Sequence, residues 1–433
     1  MTAPQVLILG AGFGGMAAAR ALKDAPVKVT LVDKNDFHTF HPLLYQIATL
    51  ELGPSEVGFP VREQLHSQSN LLFHQTTVTG IDLAKKQVQV EGMEPLSYDY
   101  LVLALGAQAN FLRADGAEEN AFPMYTMRDA IRIKEHILKV FEATDRDPSL
   151  IDDGALTFAI VGGGATGVET SGALSELFHV ELNKDYPNLP VQKARIILFN
   201  HGPDLLGPFN PKLRTYTKKQ LEERGVEVRT GEGVAAIGPD YVKLSSGEIV
   251  KARTVIWAAG VQANSMAKSL GLPTVKGGTI PVNLNLTLEG HPEVYVVGDI
   301  AAMTDAKTNK LLPQLGSTAM QAGKQAGENI AHVVKGEPTE PFKYIDKGTM
   351  ATIGRGAAIV ELPGGHTMTG HSAWMAWLSI HLVLLSGGES KTATTVDWGW
   401  SLLTKKRGKR IVLSDEDIAA EQAAQEQESG ATG

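Results

Sequence analysis

Val6-Leu7-Ile8-Leu9-Gly10-Ala11-Gly12-Phe13-Gly14-Gly15 opens the chain with an apolar run that ends in a glycine-rich turn. Phe158-Ala159-Ile160-Val161-Gly162-Gly163-Gly164-Ala165-Thr166-Gly167 repeats the plan. Each reads as a strand delivering the chain into a turn from which a helix starts. Glycine is required there because a pyrophosphate is held by backbone N–H groups at a helix N-terminus, and a Cβ would hold the backbone away from it. One such fingerprint is weak evidence. Two, both in strand–turn–helix context, predict two bound dinucleotides, a flavin and a nicotinamide.

Outward from the first turn, Met16–Leu22 has a helical pattern and Val27–Val32 is a strand closing at Asp33. That acid lies 18 residues past Gly15, near the spacing at which a carboxylate receives adenosine ribose hydroxyls. Outward from the second, a helix over 167–178 leads to the strand Arg195–Phe199, which ends at Asn200 and not at an acid. Tyr100–Ala104 and Thr254–Ala258 are later strands that run into glycine turns at Gly106 and Gly260. Their matching placement predicts an internal duplication. The expected fold is α/β, with two Rossmann-like dinucleotide-binding domains. The first takes residues 1–115 and 280–345, the second 116–279, and a C-terminal region takes 346–433. Glu142 to Asp153, acidic and Pro-containing, reads as an exposed connection.

The chain has 433 residues and no cysteine, so a thiolate metal site, a thiol nucleophile and a disulfide relay are all excluded. Electrons entering from a nicotinamide must leave the flavin directly, to an acceptor of an electron pair. The net charge of −8 gives no support for nucleic-acid binding. No basic and apolar leader precedes the first strand, and no window reaches the roughly 20 apolar residues of a spanning helix. The expectation is a cytoplasmic protein, free or lying on the membrane surface.

Individual residues carry open alternatives. Gly298-Asp299 closes the strand Val294–Asp299, where a carboxylate can bond ribitol hydroxyls or cap the next helix; both can hold of one residue. Glu169, placed in the first turn of the second nucleotide helix, either complements the helix dipole or stands beside the nicotinamide–flavin stack. Gln321 and Gln325 share one face of a helix over 313–335, and as solvated residues they need no explanation. His38 and His41 have the spacing of ligands but no acid or thiol partners, so no metal is expected. The apolar stretch Ser372–Ser386 contains Trp374 and Trp377; Trp398, Trp400 and Lys405-Lys406-Arg407-Gly408-Lys409-Arg410 follow. Together these read as an interfacial anchor with its cations on anionic phosphates, the alternative being a buried helix followed by a solvated basic loop. From Asp415 on, a frayed or disordered tail is expected.

These residues together resemble the type II NADH dehydrogenases, single-chain flavin NADH:quinone oxidoreductases with the glutathione-reductase-like two-dinucleotide fold. The most specific stretches are Gln321 with Gln325 and the run from Tyr344 to Gly354; Phe37 to Thr49 adds to them. The resemblance extends to about residue 400. It implies FAD held by Gly10, Gly12, Gly15, Asp33 and Asp299, and NADH held by Gly162, Gly164 and Gly167. Gly14, Lys34, Gly106, Asn200 and Gly260 complete the candidate cofactor contacts. Glu169 would lie beside the nicotinamide. Gln321, Gln325, Tyr45, Gln46 and the Lys347–Met350 segment would border a membrane-facing quinone tunnel, with Glu169, Gln321, Gln325 and Lys347 as the catalytic candidates. The implied reaction passes a hydride from nicotinamide to flavin, then two electrons and two protons to a membrane quinone, without ion pumping. The implied location is peripheral, on the cytoplasmic face of the membrane; a homodimer is allowed.

Two departures stand out. Asn200 does not repel a 2′-phosphate as an acid would, which leaves NADPH open. Ser386-Gly387-Gly388-Glu389-Ser390-Lys391 is more polar than the family's apolar continuation, which implies looser membrane attachment. The competing enzyme is a soluble NAD(P)H-dependent reductase feeding a ferredoxin-like protein, and the non-enzymatic reading is a redox sensor. Sulfide:quinone, lipoamide, glutathione and thioredoxin reductases all need the cysteines this chain lacks.

Overall fold

A computed structural model of the chain describes residues 3–112, 114–404 and 406–411. The first sheet runs in the order Thr287–Leu288, His291–Val296, Tyr100–Leu103, Gln5–Leu9, Lys28–Asp33, Leu71–Gln75. All its neighbours are parallel except the first pair. The second sheet is wholly parallel, in the order Phe122–Pro123, Thr254–Trp257, Thr157–Val161, Arg195–Asn200, Val226–Thr230. In each, the fingerprint strand is central and the chain leaves it to opposite sides, which makes its carboxyl end the switch point where such sheets bind ligands. Every residue of Thr157–Val161 is buried, as a strand covered on both faces must be. Thr349–Gly354, Ala357–Glu361 and Thr367–Thr369 form a separate antiparallel sheet, followed by helices Gly370–Leu384 and Gly388–Thr404.

Glycine decides how closely the helices approach. A Cβ on Gly323 would lie 2.0 Å from the Gly14 carbonyl oxygen, so the helices Phe13–Ala21 and Gly316–Val334 meet backbone to backbone. A Cβ on Gly14 would itself lie 3.1 Å from Val297 Cγ2. A Cβ on Gly172 would lie 1.8 Å from the Ile353 oxygen, so the helix Ala165–Glu176 receives the strand Thr349–Gly354 equally closely.

The stretch read as an exposed connection differs in the structure. A helix, Met127–Arg146, runs through its first half, started by a reciprocal Thr126–Asp129 capping box. Its apolar stripe of Ile133, Ile137 and Phe141, just before that stretch, is fully buried, while most of residues 142–153 are exposed as expected, the difference being that they begin as helix. The same apolar cluster contains Phe40, Leu43 and Tyr45, the strand residues Phe158 and Ile160, Ile353, and Trp374, Trp377 and Trp398. The C-terminal helices are thus part of the core on one side.

Candidate functional site

Both nucleotide turns have the geometry of a phosphate cradle. Gly10 and Gly162 adopt φ of +102° and +116°, and a Cβ on either would run into the carbonyl of Ala104 or Ala258. A Cβ on Gly15 would lie 1.7 Å from Gly10 O, and one on Gly167 1.8 Å from Gly162 O; these two seat each helix on its own turn. Gly12 and Gly164, by contrast, are the N-cap residues of the two helices and meet nothing within 4 Å. Open space over unsatisfied helix N–H groups is what a pyrophosphate requires. The chain's glycines therefore fit two dinucleotides. Gly106 and Gly260 lie at the ends of the paired strands Ala107–Ala109 and Val261–Ala263, with φ of +68° and +140°.

The polar partners differ between the two turns. Asp33 accepts from the Ala11 amide at 2.6 Å and from the Asn35 amide at 2.8 Å. Burial pushes its carboxyl up, although both amides and the adjacent Lys34 oppose the shift. Lys34 itself is exposed. Asp299 lies in a three-residue 3-10 turn, Gly298–Ile300, and does not cap the long helix, which starts only at Gly316. Its carboxylate makes no hydrogen bond among the described residues, and burial pushes its pKa up to about 6. A half-buried carboxylate without a donor fits the hydroxyl chain of a flavin. Asn200 is already engaged: its Oδ1 accepts from Gly163 N, and its Nδ2 donates to Gly202 O and Asp204 O. Both amide hydrogens are spent on the loop, so no donor is left for a ribose. Asn200→Asp is accordingly expected to raise KM for NADH about tenfold through loss of the two loop bonds, and KM for NADPH at least as much, since an acid there also repels a 2′-phosphate. Comparing kcat/KM for the two nucleotides checks this; a selective gain with NADH would contradict it.

A third feature lies between these cradles and the C-terminal helices. Glu169 is in the second turn of its helix, not the first, because the helix begins at Ala165. The dipole reading therefore fails. The carboxyl is buried and, among the described residues, accepts only the Thr352 amide, at 3.3 Å. Burial pushes its pKa up to about 8; the Thr352 amide and the Trp377 indole oppose the rise, the indole without reaching hydrogen-bond geometry. Glu169 lines a cleft with Tyr45, Gln46, Glu51, Trp377 and Trp398, and with Glu176, Arg355 and Arg407 at its polar end. The cleft has room for a few water molecules. An aromatic chain joins it to the first nucleotide turn. Phe13 meets Phe40 at 5.9 Å, Phe40 meets His381 at 6.1 Å, His381 stacks on Trp377 at 3.9 Å, and Trp377 meets Tyr45 at 6.4 Å.

Tyr45, Gln46 and Glu169 are thus brought together, whereas Gln321, Gln325, Lys347 and Met350 do not line the cleft. Gln321 is spent on the main chain of Ile345, donating to its carbonyl at 3.0 Å and accepting from its amide at 2.9 Å. Gln325 donates to Asn329 at 3.3 Å. Lys347 is exposed, and Met350 is half-buried in the strand that carries Thr352. His38 and His41 bond the Ala11 and Thr39 carbonyls, and burial pushes both imidazoles down, His38 to about 4. The sequence reading missed Glu51, Arg355 and Gly172, and gave Thr352 only as part of the run from Tyr344 to Gly354. Only Gly172, three residues after Glu169 in a helix, left a local signal.

The C-terminal reading needs correction. Arg407 is buried, with Glu181 at 3.1 Å and Glu176 at 3.2 Å. Lys409 pairs with Glu56 and Asp397, and Arg410 with Glu181 and Asp185. These three cations are held by carboxylates of the chain, while Lys406 of the same run is exposed. Lys405 and the tail from Asp415 lie outside the described residues. Trp374, Trp377 and Trp398 are inside, while Trp400 is exposed together with Val383, Val396 and Leu403. Gly387, at φ +77°, makes the bend between the two helices. Among the described residues no helix is long and apolar enough to cross a membrane.

Residues 4–323 match the family described as pyridine nucleotide-disulphide oxidoreductase. The type II NADH:quinone oxidoreductase NdhA of Mycobacterium tuberculosis is 35% identical over 427 residues, 95% of this chain and 89% of that protein. The type II NADH:quinone oxidoreductase of Staphylococcus aureus is 31% identical, over 81% of this chain and 87% of its own. Among solved structures, NDH2 from Plasmodium falciparum in complex with NADH superposes with a TM-score of 0.85 at 18% identity, over 94% of this chain and 99% of that one.

Proposed function

The chain belongs to the type II NADH:quinone oxidoreductases, and from that membership we propose how its own residues divide the work. The enzyme is an FAD-dependent NADH dehydrogenase with a quinone as electron acceptor; a ferredoxin-like acceptor is not favoured by these relatives. In the division proposed, Gly10, Gly12 and Gly15 with Asp33 and Asp299 hold FAD, and Gly162, Gly164 and Gly167 hold NADH. Bound there, the two cofactors supply the hydride and electron-pair chemistry.

Reducing a quinone also consumes two protons. The residues of the Glu169 cleft hold and orient them. Below about pH 8 the Glu169 carboxyl keeps its proton, since burial disfavours the charged form more than Thr352 and Trp377 favour it. Tyr45 offers a second hydroxyl at the same place. The buried carboxyl in an aromatic-walled cleft is the observation that carries this reading. The exposed apolar side chains of the two C-terminal helices, Val383, Val396, Trp400 and Leu403 among them, support a peripheral seat on a membrane surface, through which a quinone reaches the cleft.

The test is the pH dependence of quinone-dependent NADH oxidation. Because the raised pKa leaves Glu169 protonated at neutrality, the wild-type rate is expected to fall as pH rises through about 8. Glu169→Gln should be about 100-fold slower and should lose that limb. An unchanged profile in the variant would remove Glu169 from proton delivery.

A further inference from the structure

One hydrogen-bond chain at the cleft has a direction fixed by chemistry. Trp398 Nε1 lies 3.0 Å from Gln46 Oε1, and Gln46 Nε2 lies 3.0 Å from the Tyr45 hydroxyl oxygen. An indole nitrogen can only donate. The amide atom it meets must therefore be the oxygen, which turns the amide NH2 toward Tyr45 and makes the phenol oxygen an acceptor. The Tyr45 hydrogen is then not taken by Gln46. It is left for the cleft that Tyr45 lines together with Glu169 and Glu51. Trp398, Gln46 and Tyr45 are 7%, 3% and 4% exposed, so all three side chains are withdrawn from bulk solvent.

We infer that Trp398, on the C-terminal helix Gly388–Thr404, is a positioning residue for quinone reduction: by orienting the Gln46 amide it aims the Tyr45 hydroxyl hydrogen into the Glu169 cleft. The inference rests on the quinone reading of that cleft. Without the indole N–H, nothing stops the amide from turning over. Its oxygen then accepts the phenol hydrogen and withdraws it from the cleft. The same contact ties the helix that carries the exposed Trp400 to the site, through a side chain two residues away.

The experiment is a double-mutant cycle on the flavin-loaded enzyme. Trp398→Phe, Tyr45→Phe and the double variant are compared in kcat and KM for a short-chain quinone, with anaerobic flavin reduction by NADH as the internal control. Each single variant should lose about tenfold in quinone kcat, with flavin reduction unchanged. The double should be no slower than Tyr45→Phe alone, because Trp398 acts through that hydroxyl. Trp398→His, which keeps a ring N–H, should retain most of the rate; this variant also serves if the phenylalanine does not fold. Multiplied losses in the double variant would overturn the positioning role while leaving the quinone reading intact. A histidine variant as slow as Tyr45→Phe would do the same. No effect of Tyr45→Phe at all would overturn both.

Discussion

Arg407→Ala is expected to destabilise the folded chain by about 3 kcal/mol, the cost of breaking a buried ion-pair and hydrogen-bond network in which Glu181 keeps only the Arg410 cation. The guanidinium is 1% exposed and lies at ion-pair distance from Glu181 and Glu176. It also donates to the carbonyls of Thr49 and Ala173, at 2.7 and 3.1 Å, while the Arg407 amide donates to Glu181 at 2.6 Å. One side chain thus joins the residue 49 turn, the second nucleotide helix and the C-terminal segment. Burial predicts that the loss persists at high salt, where exposed pairs are screened. Lys409→Ala should cost about 1 kcal/mol or less, since its ammonium is about a third exposed. Denaturant midpoints of the flavin-loaded variants measure both effects. Equal, small shifts for the two would show that the buried network does not hold the C-terminus.

The second large effect separates the two nucleotides. Gly15→Ala should yield a colourless protein, because its Cβ would lie 1.7 Å from a backbone oxygen and the first turn must open. Gly167→Ala makes the same clash in the second turn, at 1.8 Å. It should keep its FAD yet bind NADH at least about 100-fold more weakly, roughly 3 kcal/mol. Flavin absorbance on purification and nicotinamide titration read the two outcomes. Full flavin in Gly15→Ala, or flavin lost equally from both, would break the assignment of one cofactor to each turn.

The turns were legible because a backbone that must approach a phosphate or another backbone admits only glycine, and that demand is written locally. The strands before them were legible for a similar reason, being apolar runs of strand length that stop at a turn. The ion pairs of the basic run were not legible because a charge's partner is not encoded near it. Arg407 finds Glu176 and Glu181 more than 220 residues away, and only the fold brings them together. Glu169 lies in a buried cleft, but its turn of helix was misplaced by counting from the glycines instead of from the N-cap at Gly164. Gln321 has the right face and spacing for a cleft, yet the main chain of Ile345 satisfies both ends of its amide. Asn200 shows the same limit, since its three bonds depend on a loop whose path no residue pattern announces.

The account's central claim is that one set of residues serves reduction by NADH and a separate set, around Glu169, serves the quinone. Anaerobic sequential mixing tests it directly: flavin bleaching by NADH is timed first, then its recovery on adding a short-chain quinone, in wild type and in Glu169→Gln. The account predicts bleaching at the wild-type rate in the variant and recovery slowed by about 100-fold. Bleaching and recovery slowed together, or recovery left at the wild-type rate, would contradict it.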